Sequence, residues 1–179
     1  MRKVTRAALA LAGSAALIGV TTVPSFATQH TGTTPTTVTI TAGVLEMTVP
    51  TGATLVTAAP GATSTTVLPE TTVADKRAGT ANWNATVSLP LLTGIVLTTE
   101  TIPTSGATYK AATVTPTGTA TLAIPATLTD LTTVTPQISQ AATAVNGNNT
   151  ATWTATLTVP IPTDVLADTY SGTLTQSVT

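Results

Sequence analysis

The chain has 179 residues, of which 42% are hydrophobic and only 7% are charged, and it contains no cysteine, so disulfides and thiolate metal sites are excluded. Three of its six basic residues, Arg2, Lys3 and Arg6, lie at the extreme N-terminus. The rest of the chain then has three cations against seven acids, a net charge of −4. This charge argues against nucleic acid or an anionic membrane as a partner, because both require a basic surface patch.

The first 27 residues have the organisation of a secretory signal peptide. The three basic residues are followed by an apolar stretch over residues 7–20 and by Ser25-Phe26-Ala27, a small-x-small cleavage site. We therefore predict a mature chain that starts at Thr28, is secreted, and has no membrane span after cleavage, since no later segment approaches the roughly 18 apolar residues of a transmembrane helix. Residues 28–35 lack periodicity and are predicted to be a flexible lead-in.

The composition of the mature chain is typical of an all-β protein. Threonine is its commonest residue, and Val, Ile, Leu and Ala supply most of the apolar atoms. Threonine, valine and isoleucine are β-branched and favour pleated sheets, whereas no segment repeats its apolar residues with a helical period. We predict one domain over residues 36–179, a single antiparallel β-sandwich of the immunoglobulin-like or Greek-key type.

In the first half of the chain, alternation predicts four strands. They begin at Val38, at Gly43, at Thr71 and at Trp83, while residues 51–69 are ambiguous. The clearest is the last, in which Trp83, Ala85, Val87 and Leu89 alternate with polar residues and are predicted to face the core.

In the second half, strands are predicted over residues 95–98, 108–115, 120–124, 151–159 and 170–178. Residues 131–144 are ambiguous, and a short helical turn is one interpretation. Asn146-Gly147-Asn148-Asn149 is the strongest turn signal in the chain, because Asn and Gly tolerate positive φ.

An internal repeat relates the two tryptophans. Residues 81–91 align without gaps with residues 151–161, so that Trp83 matches Trp153, and residues 43–50 resemble residues 118–125 at nearly the same offset. We predict an internal two-fold repeat in which each half of the sandwich contributes one tryptophan strand. Core packing is the favoured role of both rings, and an aromatic platform for a sugar is the alternative.

Asp75 and Arg77 precede the first tryptophan and lie on the same side of an extended segment. A local ion pair that braces the turn is the favoured interpretation, and a ligand contact through Arg77 is the alternative. The repeat has no charge at the matching positions Val145 and Gly147. From this asymmetry we hypothesise that residues 75–82 form an interaction surface, with Arg77 available to a carboxylate or phosphate of the ligand.

The titratable residues argue against an enzyme. His30 is the only histidine and lies in the lead-in, so neither a catalytic triad nor a histidine metal site can be built. The seven carboxylates are scattered, although spacing alone leaves a glycosidase pair open. We predict no catalytic residue, no metal site and no cofactor.

The order of several short motifs resembles the WxL domain, a cell-surface module of Gram-positive bacteria. These motifs are Asp75-x-Arg77-x5-Trp83, the glycine-led strand of residues 43–50, Val159-Pro160, and Tyr170-Ser171-Gly172-Thr173-Leu174-Thr175. The resemblance covers residues 36–179 and implies a β-sandwich that attaches non-covalently to peptidoglycan or associated wall polymers, often with companion surface proteins. Ala85 stands where the first family motif has leucine, and Gln176 and Val178 replace the tryptophan and leucine of the second.

The leading expectation is therefore a non-enzymatic, extracellular module associated with the cell wall, whose partners are a wall polymer or other surface proteins. The alternatives are a structural subunit of a surface layer or fibre, and a carbohydrate-binding module. The predicted binding residues are Asp75, Arg77, Trp83 and Tyr170. The predicted core residues are Trp83, Trp153, Leu157, Tyr170 and Leu174.

Overall fold

The computed structural model of the chain describes residues 32–123, 125–132 and 136–179. The chain divides into two compact units, residues 1–38 and 39–179, and every described strand belongs to the second. The predicted signal peptide, the first half of the predicted lead-in (residues 28–31), Ile124 and residues 133–135 lie outside the described residues. Within these residues there is no helix long and apolar enough to cross a membrane.

The described residues form eleven β-strands and no helix. In chain order the strands are β1 (Leu45–Thr48), β2 (Thr63–Asp75), β3 (Trp83–Ser88), β4 (Leu92–Gly94), β5 (Thr101–Ile102), β6 (Thr108–Ala111), β7 (Thr117–Leu122), β8 (Leu128–Thr129), β9 (Gln137–Pro160), β10 (Tyr170–Ser171) and β11 (Thr175–Val178). All strand pairs are antiparallel.

Eight strands form the principal sheet. Its main path runs β1-β2-β9-β3-β11, and β6, β7 and β8 branch from it. The two ends of the path, β1 and β11, come back into contact, so the sheet curls until it is nearly closed. A second sheet has the order β10-β4-β5. The prediction of an all-β, sandwich-like antiparallel fold is confirmed, and the curling of one sheet is a feature that periodicity does not reveal.

Strand β9 is the spine of the principal sheet. Its first part pairs with β3, and its second part, from Asn149 to Pro160, pairs with β2. On its other side β9 pairs with β7 and then with β6. One 24-residue strand therefore contacts four others, and the fold depends on pairings between residues that are far apart in sequence.

The internal repeat is visible in the register of these pairs. Trp153 lies opposite Thr71 in the β2–β9 pair, and Trp83 lies opposite Ala142 in the β3–β9 pair. The two tryptophans are 70 residues apart in sequence, and their partners are 71 apart. The two tryptophan strands thus occupy equivalent places in two antiparallel pairs, as two related halves would.

The core is built from the two alternating segments that the sequence singles out. The buried set from β3 and its end is Trp83, Ala85, Val87 and Leu89, and the buried set from β9 is Trp153, Ala155, Leu157 and Val159. Every second residue of each segment faces inward, as the period of a β-strand requires. Both alternation predictions are confirmed.

The predicted turn at residues 146–149 is wrong, because these residues lie within β9. Their capacity for positive φ is used, however: Gly147 has φ 76° and Ala144 has φ 50°, so the strand is locally irregular there. The predicted helical turn within residues 131–144 is also wrong for the described residues, since β9 begins at Gln137.

Other strands differ from the prediction in whether they form or in where they begin. The strand predicted from Val38 is absent, and the stretch 95–98 forms a loop between β4 and β5. Strand β2 begins at Thr63, well before the predicted start at Thr71, and it continues through Pro69 by means of a register shift between Leu68 and Thr71. Proline cannot donate to a strand ladder, so a bulge of this kind is where a sheet accommodates it.

Candidate functional site

Asp75 and Arg77 form an ion pair at the end of β2. Arg77 Nε donates to Asp75 Oδ1 and Arg77 Nη2 donates to Asp75 Oδ2, both at 2.9 Å, and the backbone N–H of Arg77 also donates to Oδ1 at 3.1 Å. Arg77 Nη2 further donates to the carbonyl oxygens of Ala81, at 2.8 Å, and Asn82, at 3.3 Å. Arg77 therefore joins the start of the loop of residues 76–82 to its end. The predicted ion pair between Asp75 and Arg77 is confirmed.

The same carboxylate is connected to the first tryptophan through Asn149 in β9. Asn149 Nδ2 donates to Asp75 Oδ2 at 3.4 Å, and the indole N–H of Trp83 donates to Asn149 Oδ1 at 3.0 Å. The hydrogen bond from Arg77 is the main cause that holds the pKa of Asp75 below its usual range, against the opposing effect of burial. Asp75 is thus a charged group kept inside the fold by its partners.

The loop of residues 76–82 is fastened to β9 by two further hydrogen bonds. The N–H of Ala78 donates to Asn148 Oδ1 at 3.0 Å, and the N–H of Gly147 donates to the carbonyl oxygen of Gly79 at 2.8 Å. Residues 147 and 148 of β9 therefore bind this loop, and they lie where the backbone of β9 is irregular.

These contacts decide which of the predicted binding residues a ligand can reach. Asp75 and Trp83 are each 1% exposed, so both side chains belong to the interior. Arg77 has 28% of its side chain exposed, and its Nε and Nη2 groups are already bonded. The structure places these three residues together as a brace between β2, β3 and β9.

Tyr170, the fourth predicted binding residue, lies elsewhere, in the three-stranded sheet. It faces Gly94 in the β10–β4 pair, and its hydroxyl donates to the carbonyl oxygen of Leu166 at 2.9 Å. Its ring is half-buried against the core. Partial desolvation, and then the negative charges of Glu100 and Asp168, raise the pKa of the Tyr170 hydroxyl.

Next to Tyr170, the loop of residues 94–100 is held by the carboxylate of Asp168. Asp168 Oδ2 accepts from the backbone N–H groups of Val96, at 3.0 Å, and Leu97, at 2.7 Å, while Oδ1 accepts from Thr169 N–H at 2.7 Å. The bond from Leu97 is the largest cause that lowers the pKa of Asp168. Each of these bonds is assisted by the carboxylate charge.

Gly94 permits this close approach. A Cβ atom at position 94 would lie 2.5 Å from the carbonyl oxygen of Leu97 and 2.7 Å from Asp168 Oδ2. The N–H of Gly94 also donates to the carbonyl oxygen of Glu100 at 3.0 Å. The N–H of Glu100 in turn donates to the carbonyl oxygen of Leu97 at 2.8 Å, which closes the loop. A side chain at position 94 is therefore incompatible with the loop as it stands.

The braced loop presents apolar side chains to solvent. Ile95 is 58% exposed and Val96 is 79% exposed, although their backbone is fixed by Asp168 and by the bond from Ile95 N–H to the Thr169 carbonyl at 2.8 Å. Leu166, whose carbonyl receives the Tyr170 hydroxyl, is also exposed. We call Ile95, Val96 and Leu166 the apolar patch.

Sequence reasoning missed the apolar patch because it treated residues 95–98 as a strand. The local signal is Gly94, which directly precedes Ile95-Val96. The brace itself leaves no local pattern, since Asp168 is more than 70 residues away in sequence.

The remaining predicted core residues differ in burial. Trp153 and Leu157 are buried, and the indole N–H of Trp153 donates to the Tyr109 hydroxyl at 3.4 Å. Leu174 is only half-buried, like Tyr170, and both pack against the edge of the core.

Two half-open depressions lie on the surface of the part of the chain that the structure describes, one between β6 and β9 and one beside Ala123 and Ile138. The described residues contain no group of three His, Asp or Glu side chains placed to hold a metal ion. In comparisons with known proteins, the chain matches no family model and no curated sequence.

Proposed function

We propose that the mature chain is a non-enzymatic, extracellular module that attaches non-covalently at the cell wall, to a wall polymer or to a surface partner protein. The leader of residues 1–27 supports secretion, and the motif order that resembles the WxL domain supports the wall as the destination. The negative charge of the mature chain argues against attachment through an anionic membrane.

The apolar patch is the observation that carries the proposal. Exposed aliphatic side chains on a mobile loop are common, but Ile95 and Val96 stand on a loop, residues 94–100, whose backbone is fixed by five hydrogen bonds. A surface that is already ordered loses less conformational entropy when it binds. Tyr170, whose ring is half-buried, pairs with Gly94 at the start of the same loop and adds an aromatic edge suited to sugar or side-chain contact.

This geometry favours attachment through the three-stranded sheet and a supporting role for residues 75–82. Arg77 was hypothesised from the sequence to grip a wall anion, yet its Nε and Nη2 groups are hydrogen-bonded within residues 75–82. We propose that the Asp75–Arg77 pair contributes by keeping the principal sheet intact, and that the apolar patch makes the contact.

Co-sedimentation of the mature chain with cell walls tests this function. One wall preparation is stripped of protein and a second retains its surface proteins. Sedimentation with both identifies a polymer ligand, and sedimentation only with the second identifies a protein partner. Failure to sediment with either preparation contradicts the proposed function.

The fibre-subunit alternative rests on a different observation, an open strand edge in the principal sheet.

A further inference from the structure

Strand β7 has an open edge. It pairs with β9 on one side, and among the described residues no strand pairs with its other side. Its six residues, Thr117-Gly-Thr-Ala-Thr-Leu122, are uncharged, and so is the whole sequence between Lys110 and Asp130. Natural edge strands are commonly protected from pairing by charges, especially lysine, and β7 has no such protection.

The other edges of the principal sheet are better guarded. Strand β1 carries Glu46, which forms an exposed ion pair with Lys76 at 2.7 Å. Strand β11 lies against β1 where the sheet nearly closes, and β8 is only two residues long. The outer side of β2 over residues 63–68 also lacks a partner strand, but residues 54–56 lie along it and accept hydrogen bonds from Ser64 and Thr66. Strand β7 therefore offers a six-residue, uncharged edge without such cover among the described residues.

A segment that has the sequence pattern of a strand, but is not paired in a sheet, lies before β1. Residues 36–42, Thr-Thr-Val-Thr-Ile-Thr-Ala, alternate between threonine and apolar residues and contain no charge, glycine or proline. In the structure they form no strand, and Val38 is 87% exposed and Ile40 79% exposed. We call residues 36–42 the arm. Its pattern and β-branched composition are those of a strand that has one apolar face.

We propose that the arm of one copy of this chain adds as a strand to the open edge of β7 in a second copy. Strand addition of this kind uses backbone hydrogen bonds for affinity and alternate side chains for specificity. Val38 and Ile40 would then extend the apolar face on which Ala120 and Leu122 are half-buried. Each copy offers one arm and one edge, so the assembly is open-ended and grows head to tail.

The length of the arm favours pairing with β7 of a second copy over pairing with β7 of the same copy. Residues 43 and 44 are held beside β2 by the bonds from Gly43 N–H to Lys76 O, 2.8 Å, and from Lys76 N–H to Val44 O, 2.9 Å. At this level the sheet order is β1, β2, β9, β7, since Asp75 pairs with Asn149 and Asn149 pairs with Gly118.

From β1, the open side of β7 is four strand spacings away, about 19 Å along the sheet. An extended chain needs about six residues for that distance. A path along the sheet would consume most of the arm, which disfavours pairing of residues 36–42 along β7 of the same copy. A neighbouring copy has no such restriction.

Thiol cross-linking tests the contact, because the natural chain has no cysteine. One mature variant carries Thr39→Cys in the arm, and a second carries Thr119→Cys on β7. The two are mixed and treated with a short bis-maleimide, which tolerates a small difference in register. The matched control replaces Thr119→Cys with Thr48→Cys, an exposed threonine on the guarded strand β1.

The proposal expects a cross-linked heterodimer from the Thr39–Thr119 mixture, in clear excess over the control. Equal or no cross-linking in the two mixtures overturns it. A chain that carries both Thr39→Cys and Thr119→Cys should give cross-linked dimers and longer species, whereas a cross-link confined to the monomer overturns the choice of a second copy.

A second measurement does not depend on cysteine placement. The mass of the mature chain in solution should rise with concentration in multiples of the protomer mass. Thr39→Pro removes a backbone donor within the arm and should leave a monomer, whereas Thr33→Pro, outside the arm, should assemble as the natural chain does. A natural chain that stays monomeric, or two proline variants that behave alike, contradicts the proposal.

Discussion

The indole N–H of Trp83 donates to Asn149 Oδ1 across 3.0 Å, which joins the start of β3 to the middle of β9. The same asparagine donates to Asp75 Oδ2, so the ion pair at the end of β2 and the first tryptophan belong to one hydrogen-bonded group. The end of β2 and the start of β3 are thereby both fixed to a residue of β9 that lies 74 and 66 residues later in the chain. Because this group braces β2 and β3 against β9, we make two predictions about stability.

The first prediction concerns the ion pair. Arg77→Ala leaves the buried carboxylate of Asp75 without its main partner, and we expect it to lower the free energy of unfolding by about 2–3 kcal/mol. This is somewhat less than for a fully buried pair, because Arg77 is 28% exposed. Chemical denaturation measures it. The control is Lys76→Ala, which breaks only the exposed pair with Glu46 and should cost at most about 1 kcal/mol. Equal effects would contradict the brace.

The second prediction concerns acid. The pKa of Asp75 is lower in the folded chain than in the unfolded chain, so its contribution to stability is fully present above about pH 5 and is lost as the pH falls through the lowered native value. Denaturation between pH 7 and pH 2 should show this loss. Asp75→Asn should be less stable at pH 7 and should lose less stability on acidification. A parallel pH dependence in the two chains would exclude Asp75 as its cause.

Only part of this hydrogen-bonded group could be predicted from the sequence, because some of its contacts join residues that are far apart in the chain. The local part, an ion pair between residues two apart, follows from spacing. The link to Asn149 depends on the pairing of β2 with β9, which spans 74 residues and leaves no local pattern. The same limit explains the wrong turn at residues 146–149, since Asn and Gly favour positive φ in a turn and in a strand irregularity alike.

The alternating segments were predictable because each carries its own evidence of a buried face. The 94–100 loop was not, since its apolar residues are exposed and its brace comes from Asp168, more than 70 residues away. The exposed arm is a related case. Its alternation predicted a strand, but it forms none and no partner strand covers it among the described residues.

The third prediction concerns the second tryptophan. Trp153 is buried and its indole N–H reaches the Tyr109 hydroxyl, so Trp153→Ala removes a large core ring and a polar contact. We expect a loss of about 3–5 kcal/mol in the free energy of unfolding. Tyr109→Phe keeps the packing and should cost much less. A Trp153→Ala chain with an unchanged melting temperature would place this ring outside the core.

The fourth prediction concerns the brace of the apolar patch. Asp168→Ala removes the acceptor of three backbone N–H groups, and we expect the amides of Val96 and Leu97 to exchange their hydrogens roughly tenfold faster or more. Amides of β9 should keep their protection, because the effect is local. Asp164→Ala, a nearby exposed carboxylate, is the control. Unchanged exchange at residues 96 and 97 would show that Asp168 does not order the loop.

Attachment through the apolar patch is the central claim, and its most direct test is a quantitative wall co-sedimentation of two matched variants. Val96→Asp places a charge in the patch, and Val67→Asp places the same charge at another exposed valine, on β2. Both chains should keep their far-UV spectrum and melting temperature. We predict that Val67→Asp sediments like the natural chain and that the bound fraction of Val96→Asp falls at least about tenfold, the effect of losing roughly 1.4 kcal/mol of binding free energy. Equal sedimentation of the two variants would contradict attachment through this surface.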